Sequence, residues 1–345
     1  MITQEILDDL RVTHLPAVEI FMRESINVLP GGGGLLGEMA NYQLDTGGKR
    51  FRALIPLAAY EAFGGHPEDA VPIAGACELF HNATLVHDDV QDGDRMRRGR
   101  PTIWARWGIP QAINLGDAMM AWAGTCIAET PSEDHVRCGL TGMLHFTMAV
   151  VAAGQAADAC LQTGETPTPE AWCDVAEAKT GALFGLCLAG PATLAGATDD
   201  VHRALLGAAR HLGILFQLQD DLVDLYGAKG REGPGGDIRE GKMTLPVIHA
   251  LRLARPAERD RLLSLLGTPR DACSNSAVRW AAELIREVGA VDACLQEMLR
   301  RRRDLSQASM LDDLTAVVEL IRDLGELFSE PLKPIFLGSG FESVT

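Results

Sequence analysis

The sequence predicts an all-α fold, and three observations predict it. Long stretches carry apolar residues at the spacing of a helix face. Strand-like alternation of Val, Ile, Thr and Tyr is hard to find anywhere in the chain. The composition, 47% hydrophobic with only 5% aromatic, suits a globular core built largely from Ala, Leu and Val. Taken in order, the helical patterns run from Phe51 to Phe63, Ala70 to Asp92, Pro110 to Thr130, Val136 to Gln162, Pro169 to Leu194 and His202 to Tyr226, with several more beyond Leu245. The segment "PGGGGLLG", Pro30 to Gly37, reads as a turn between two helices near the start. Its glycines lack the Lys-Ser/Thr of a phosphate loop. "GAKGREGPGGDIREG", Gly227 to Gly241, is the one long irregular stretch, a length that in a compact helical protein points to function.

At 345 residues the chain has room for one large domain or two ordinary ones. No Pro- or Ser-rich linker and no shift in composition divides it, so residues 1–345 are expected to form a single helical-bundle domain. The net charge of -16 opposes nucleic-acid binding, because a polyanion is repelled on average. An anionic ligand must then be held by a local cluster of cations or by metal. The N-terminus, "MITQEILDDL", is acidic where a signal peptide is basic, so a cytoplasmic protein is expected. Met143 to Leu161 is the most apolar long stretch, but it contains His145, Gln155 and Asp158 and is read as a buried helix with no stable membrane insertion. The eight cysteines, among them Cys77, Cys126, Cys160 and Cys187, lack zinc-site spacing and are read as buried reduced thiols.

The chemistry concentrates in a repeat. Asp88-Asp89-x-x-Asp92 recurs as Asp220-Asp221-x-x-Asp224. Residues four apart stack on one helix face, so Asp88 pairs with Asp92 and Asp220 with Asp224, and such like-charge pairs cost a helix roughly 0.2–0.5 kcal/mol each. Something must compensate. Carboxylates without Cys or clustered His favour a hard cation, and Mg²⁺ typically takes one or two of them together with phosphate oxygens and water. Cations follow nearby: Lys49, Arg50 and Arg52 in "GGKRFR", Arg97 and Arg98 in "RRGRPT", Lys179 in "AEAKTGALF" and Lys242 in "REGKMTLP". Arginine forks suit bidentate phosphate binding, and lysine acts as a point charge. Arg50, Arg95 and Arg100 are read as surface residues, as is the Arg300–Arg303 run. Lys179, embedded among Ala, Leu and Phe, requires an anionic or metal-bound partner.

These blocks, "GGKRFR", "HNATLVHDDVQD…RRGRPT", "AKTGALF", "FQLQDDLVD" and "GGDIREGKMTLPVI", resemble in content and order the signatures of the trans-isoprenyl diphosphate synthases, or polyprenyl synthetases. The resemblance implies the isoprenoid synthase fold, antiparallel helices around a central cavity with the two motifs facing one another at its mouth, and a homodimer. It implies head-to-tail condensation of isopentenyl diphosphate with an allylic diphosphate. Asp88, Asp92, Asp220 and Asp224 would bind Mg²⁺ on the allylic diphosphate, with Asp89 and Asp221 as outer support. Arg97, Lys179 and Lys242 would hold that same diphosphate. Lys49, Arg52, His81 and Arg98 would hold the diphosphate of isopentenyl diphosphate. Oxygens around Lys179, Thr180 and Gln217 would stabilise the carbocation, and the departing diphosphate would take the last proton. On this reading the arginines after the first motif serve diphosphates and do not neutralise the aspartates.

In this family bulky side chains one turn before the first Asp stop the growing chain. Here Ala83 and Thr84 are small, and Phe80 lies one turn deeper, about 5.4 Å. Geranylgeranyl diphosphate is the expected product, with farnesyl or longer polyprenyl products as alternatives. Met119, Met120, Trp122 and Phe146 are further candidates to line the tunnel. Where many members carry a lysine before GxD, this chain has "GREGPGGD", which leaves Lys229 or Arg231 to close the site. A class I terpene cyclase shares the fold and the first motif, but the second DDxxD and "GGKRFR" argue against it. A non-catalytic regulatory subunit typically loses one motif, and both are intact here.

Overall fold

The computed structural model describes residues 2–27, 34–162, 165–227, 234–306, 311 and 314–336. These are helical almost throughout, as expected, and strand occurs among them only as a two-stranded antiparallel ribbon, β1 (Met96–Arg97) with β2 (Arg100–Pro101). The chain resolves into two compact units that each take several separate segments. Unit 1 is Met1–Ala149, Leu183–Ala209 and Ala308–Asp323; unit 2 is Val150–Ala182, Arg210–Gln307 and Leu324–Thr345.

In unit 1 the chain runs through α1 (Ile2–Thr13), α2 (Leu15–Asn27), α3 (Gly34–Leu44), α4 (Phe51–Ala62), α5 (Val71–Gln91), the ribbon, α6 (Ile103–Trp107), α7 (Ile109–Ala128) and the start of α8 (Asp134–Leu161). Helix α5 packs on α2, α4 and α7 and is buried from Pro72 to Phe80 without a break, continuing at Asn82, Ala83, Val86 and Asp89. A helix apolar on every side belongs in a core. Of its buried polar members, Glu78 accepts at Oε1 from Arg50 (3.0 Å) and from Asn82 (3.2 Å), while its Oε2 has no hydrogen-bond partner. Arg50 is thus a buried structural cation, 8% exposed, and not the surface residue expected. Breaking such a buried pair by removing one partner leaves a stranded charge, which is why it holds α4 and α5 in register.

Unit 2 contains the end of α8, α9 (Pro169–Ala176), a π-helical turn (Glu177–Gly181) and the C-terminal part of α11 (Asp199–Tyr226); α10 (Ala182–Leu194) from Leu183 on and the start of α11 belong to unit 1. It continues through α12 (Gly236–Arg239), α13 (Leu245–Leu253), α14 (Pro256–Leu266), α15 (Asn275–Glu287), α16 (Ala290–Ser306) and the end of α17 (Thr315–Ser329). Helix α13 is its centre, with Leu245 to Ile248, Ala250 and Leu251 buried against α9, α14, α15 and α16.

Two expectations fail here. Helix α8, read as buried, has only 22% of its most apolar window buried. The buried residues Leu140, Leu144, Thr147, Val151 and Gly154 recur at four- and three-residue steps, a single narrow seam, and Phe146 on the other side is 71% exposed. Length and apolar composition do not by themselves bury a helix on all sides. Likewise Cys138 and Cys160 are exposed, whereas the other six cysteines are buried; none of the eight is joined in a disulfide.

Candidate active site

Unit 1 carries the first acidic motif. Asp88 and Asp89 lie in the last turn of α5 and Asp92 is its C-cap, its backbone N–H donating to the Asp88 carbonyl at 2.8 Å. Carboxylates at a helix C-terminus face the negative end of the macrodipole as well as one another, so the arrangement demands positive charge. Part of it comes from the ribbon. Arg98 (φ 50°) and Gly99 (φ 75°) form a two-residue turn with both centres left-handed, the geometry of tight hairpins. The ribbon folds Arg97 back onto Asp89, whose Oδ1 accepts from Nε and Nη2, each at 2.7 Å. Burial pushes the Asp89 carboxyl up to about 6 against the pull of Arg97. The expectation that these arginines leave the aspartates alone is therefore corrected: an arginine eight residues on can return across a hairpin, which helix spacing does not reveal.

The ribbon also meets the "GGKRFR" loop. Arg98 donates to the Gly47 carbonyl, and any side chain at Gly48 would occupy the place of its guanidinium. Arg52, 6% exposed, stacks 4.2 Å above the Phe184 ring. Lys49 lies 5.6 Å from the Phe51 ring. His81 is held neutral, its pKa lowered well below the usual value first by burial and then by Arg52, Arg98, Arg97 and Arg50. It would meet an anion as a hydrogen-bond donor and not as a charge. Of the arginines read as surface, Arg95 is exposed over Trp104, and Arg100 is half-buried over Tyr42 while donating to the Asp45 carbonyl. Phe80 and Ala83 are fully buried, as are Met119 and, nearly, Trp122; Thr84 is half-buried, with its hydroxyl on the His81 carbonyl, and Met120 is half-buried too.

Unit 2 carries the second motif near the C-terminus of α11. Gln217 stands one turn before Asp221. The Thr180 hydroxyl donates to Gln217 Oε1 (3.3 Å), Gln217 Nε2 donates to Asp221 Oδ1 (3.0 Å), and the Leu245 N–H donates to Asp221 Oδ2 (3.3 Å). Burial, then the charge of Asp237, drives the Asp221 carboxyl well above its ordinary range. Asp224, 2% exposed, accepts the Asp237 N–H at 3.0 Å, which fastens α12 to the helix that carries the motif. Asp220 is half-buried. Lys242 pairs with Glu240 (2.8 Å) and lies 3.6 Å from Asp237. Lys179 finds the anion its apolar surroundings require in Asp158 of α8, at 3.0 Å. Lys229 and Arg231 lie outside the described residues.

The predicted residues therefore fall into two sets: Lys49, Arg52, His81, Asp88, Asp92, Arg97 and Arg98 in unit 1, and Lys179, Thr180, Gln217, Asp220, Asp224 and Lys242 in unit 2. Among the described residues no three His, Cys, Asp or Glu side chains form a metal-holding group by themselves. Two carboxylates per motif nonetheless match what Mg²⁺ takes from protein when phosphate and water complete its shell. Sequence reasoning missed the π turn, the Asp158 partner and the burial of Arg301, which at 9% exposed is no part of a solvated face. Only Asp158 left a signal, as an acid inside an apolar run.

Residues 34–285 match the family described as Polyprenyl synthetase. A geranylgeranyl diphosphate synthase of Mycobacterium tuberculosis is 36% identical over 282 residues, 80% of either chain. A short chain isoprenyl diphosphate synthase of Methanothermobacter thermautotrophicus is 32% identical over 290 residues, 84% of this chain and 87% of its own. The crystal structure of geranylgeranyl pyrophosphate synthetase from Pyrococcus horikoshii superposes with a TM-score of 0.80 at 28% identity, covering 92% of this chain and 98% of that one.

Proposed function

The chain belongs to the polyprenyl synthetase family and is a trans-prenyltransferase of isoprenoid diphosphates, and we propose that it is a Mg²⁺-dependent geranylgeranyl diphosphate synthase. One observation carries the residue assignment: two carboxylate pairs end long apolar helices, each with its own lysines or arginines in the same unit. Asp88, Asp92, Asp220 and Asp224 would hold Mg²⁺, which when bound neutralises the diphosphate oxygens of the allylic substrate.

The chain's own groups supply the rest. Asp89 engages Arg97 through Nε and Nη2 and leaves guanidinium N–H groups for a diphosphate. Lys179 and Lys242 add point charge to the same leaving group, so the C–O bond can break without proton transfer to a side chain. Lys49, Arg52, Arg98 and neutral His81 would seat the diphosphate of isopentenyl diphosphate. The Thr180 hydroxyl, oriented by Gln217, offers oxygen lone pairs to the allylic cation. The departing diphosphate takes the final proton.

The chain is read as one functional domain, since residues 34–285 of the family match take in segments of both units. It is read as a cytoplasmic homodimer. The support is apolar surface in unit 1, where Ile109, Ile113 and Phe146 are 49%, 47% and 71% exposed, a pattern that favours a second copy. Asp158 of α8, ion-paired with Lys179, supports a helix that packs in protein and not in lipid.

Product mass tests the reading. A C20 diphosphate is expected, lost on chelation and restored by Mg²⁺, and Phe80→Ala should lengthen it. A C15 or C30 product from the unaltered protein, or an unchanged length in Phe80→Ala, overturns the product assignment.

A further inference from the structure

Lys179 and Thr180 stand on the only π-helical turn among the described residues, Glu177–Gly181. Such a turn inserts one residue into the helical ladder and persists where its surroundings enforce it. In unit 2 two glycines press on its backbone. A Cβ at Gly154 of α8 would stand 2.7 Å from the Lys179 nitrogen, and a Cβ at Gly213 of α11 would meet the Gly181 backbone closer still. Backbone contact fixes the turn's position and leaves its side chains to be oriented by other means.

Lys179 is oriented by Asp158 and Thr180 by Gln217. The first residue of the turn, Glu177, is reached from α16. Arg301 Nη1 lies 3.6 Å from Glu177 Oε1; its Nε donates to Glu297 at 2.6 Å and its Nη1 donates to His211 Nδ1 at 3.3 Å. The His211 pKa is lowered by burial and by Arg301, so its ring is neutral and free to accept. Glu297 also accepts from Arg300 at 2.7 Å and from the Cys173 thiol at 3.7 Å. One buried guanidinium thereby ties α16, α11 and the π turn together. A cavity of about 430 Å³ borders the cluster, lined in part by Cys173, Glu177, His249, Glu297, Arg300 and Arg301. Glu177 is the more exposed end of its pair with Arg301, at 29%, so solvent screening keeps the effect moderate.

We propose that Arg301 is a positioning residue for prenyl transfer, which holds Glu177 and with it the π turn that presents Lys179 to the reacting diphosphate and Thr180 to the allylic cation. The inference rests on the assignment of Lys179 to that diphosphate. A loosened turn costs alignment in the transition state more than substrate binding, so Arg301→Gln should lower kcat about tenfold and leave both KM values within about twofold. Glu177→Gln, at the more exposed end of the pair, should do the same. The double variant should be no slower than either single one, because both changes cut one tether.

The assay is steady-state condensation by the full-length protein with Mg²⁺, with thermal unfolding measured in parallel and Lys179→Met as the control. A loss in Lys179→Met, together with non-additive kcat losses at unchanged KM in the other variants, is the expected result. Unchanged kcat in Glu177→Gln overturns the proposal, even where Arg301→Gln fails to fold. Kcat losses that multiply, or a lowered melting temperature at unchanged kcat, also overturn it. If Lys179→Met retains full kcat, the Lys179 assignment falls, and a separate loss in Arg301→Gln then shows that Arg301 does not act through that residue.

Discussion

In the first acidic motif the middle carboxylate, Asp89, is answered by a guanidinium, whereas in the second the middle carboxylate, Asp221, is answered by the Gln217 amide and a backbone N–H. Both are nearly fully buried, at 1% and 3% exposed. Asp89 shares its charge with Arg97 and is pushed to about 6; Asp221 has only neutral donors, and burial with the charge of Asp237 drives it well above its ordinary range. The two motifs reach one end by different routes: neither middle carboxylate adds a full bare negative charge beside the outer pair. The identical lettering therefore describes the outer carboxylates only, and each middle one has a local task. Asp89 anchors the arginine ribbon, and Asp221 anchors the chain from Leu245 through Gln217 to Thr180.

The sharpest way to break this comparison is to remove an outer carboxylate from each motif. Asp88→Ala and Asp220→Ala should each lower kcat by at least about 10²-fold while circular dichroism stays helical, because the charge of the leaving group loses part of its counterbalance. Retained activity in either would end the equivalence of the outer pairs. Next in size are the middle positions, read by urea unfolding. Asp89→Ala takes both acceptor contacts from the Arg97 guanidinium and should cost about 2–3 kcal/mol. Asp221→Asn keeps a polar group among neutral donors and should cost about 1 kcal/mol or less. A loss in Asp221→Asn as large as that in Asp89→Ala would erase the distinction between the two interiors. The smallest effect is expected at Thr180→Val, which removes the donor to Gln217 and should reduce kcat less than tenfold, about one hydrogen bond's worth. An unchanged kcat would detach the Gln217 chain from the chemistry.

Much of this is legible in the sequence. Helices α4, α5, α7, α8, α9 with α10, and α11 fall within a few residues of their periodic patterns, because amphipathic or wholly apolar runs of that length have few alternatives. The acidic repeat and its cations were legible as chemistry. The π turn was not: α10 is buried on nearly every face from Leu183 to Ala192, so one inserted residue disturbs no visible period. Asp158 and Lys179 lie 21 residues apart on different helices, a pairing that only packing creates. Arg301 was hidden by three arginine neighbours, since a run of four cations reads as solvent-facing while a single member turns inward to Glu297, Glu177 and His211. The return of Arg97 to Asp89 is not visible in the sequence, because the Arg98-Gly99 turn that makes it depends on a left-handed arginine.

The most direct test of the account is condensation itself. Purified protein with Mg²⁺ and isopentenyl diphosphate is given dimethylallyl, geranyl or farnesyl diphosphate in turn, and diphosphate release is followed together with the mass of the product. The account predicts release coupled to a prenyl diphosphate lengthened by five-carbon units. The absence of elongation with all three primers would contradict it.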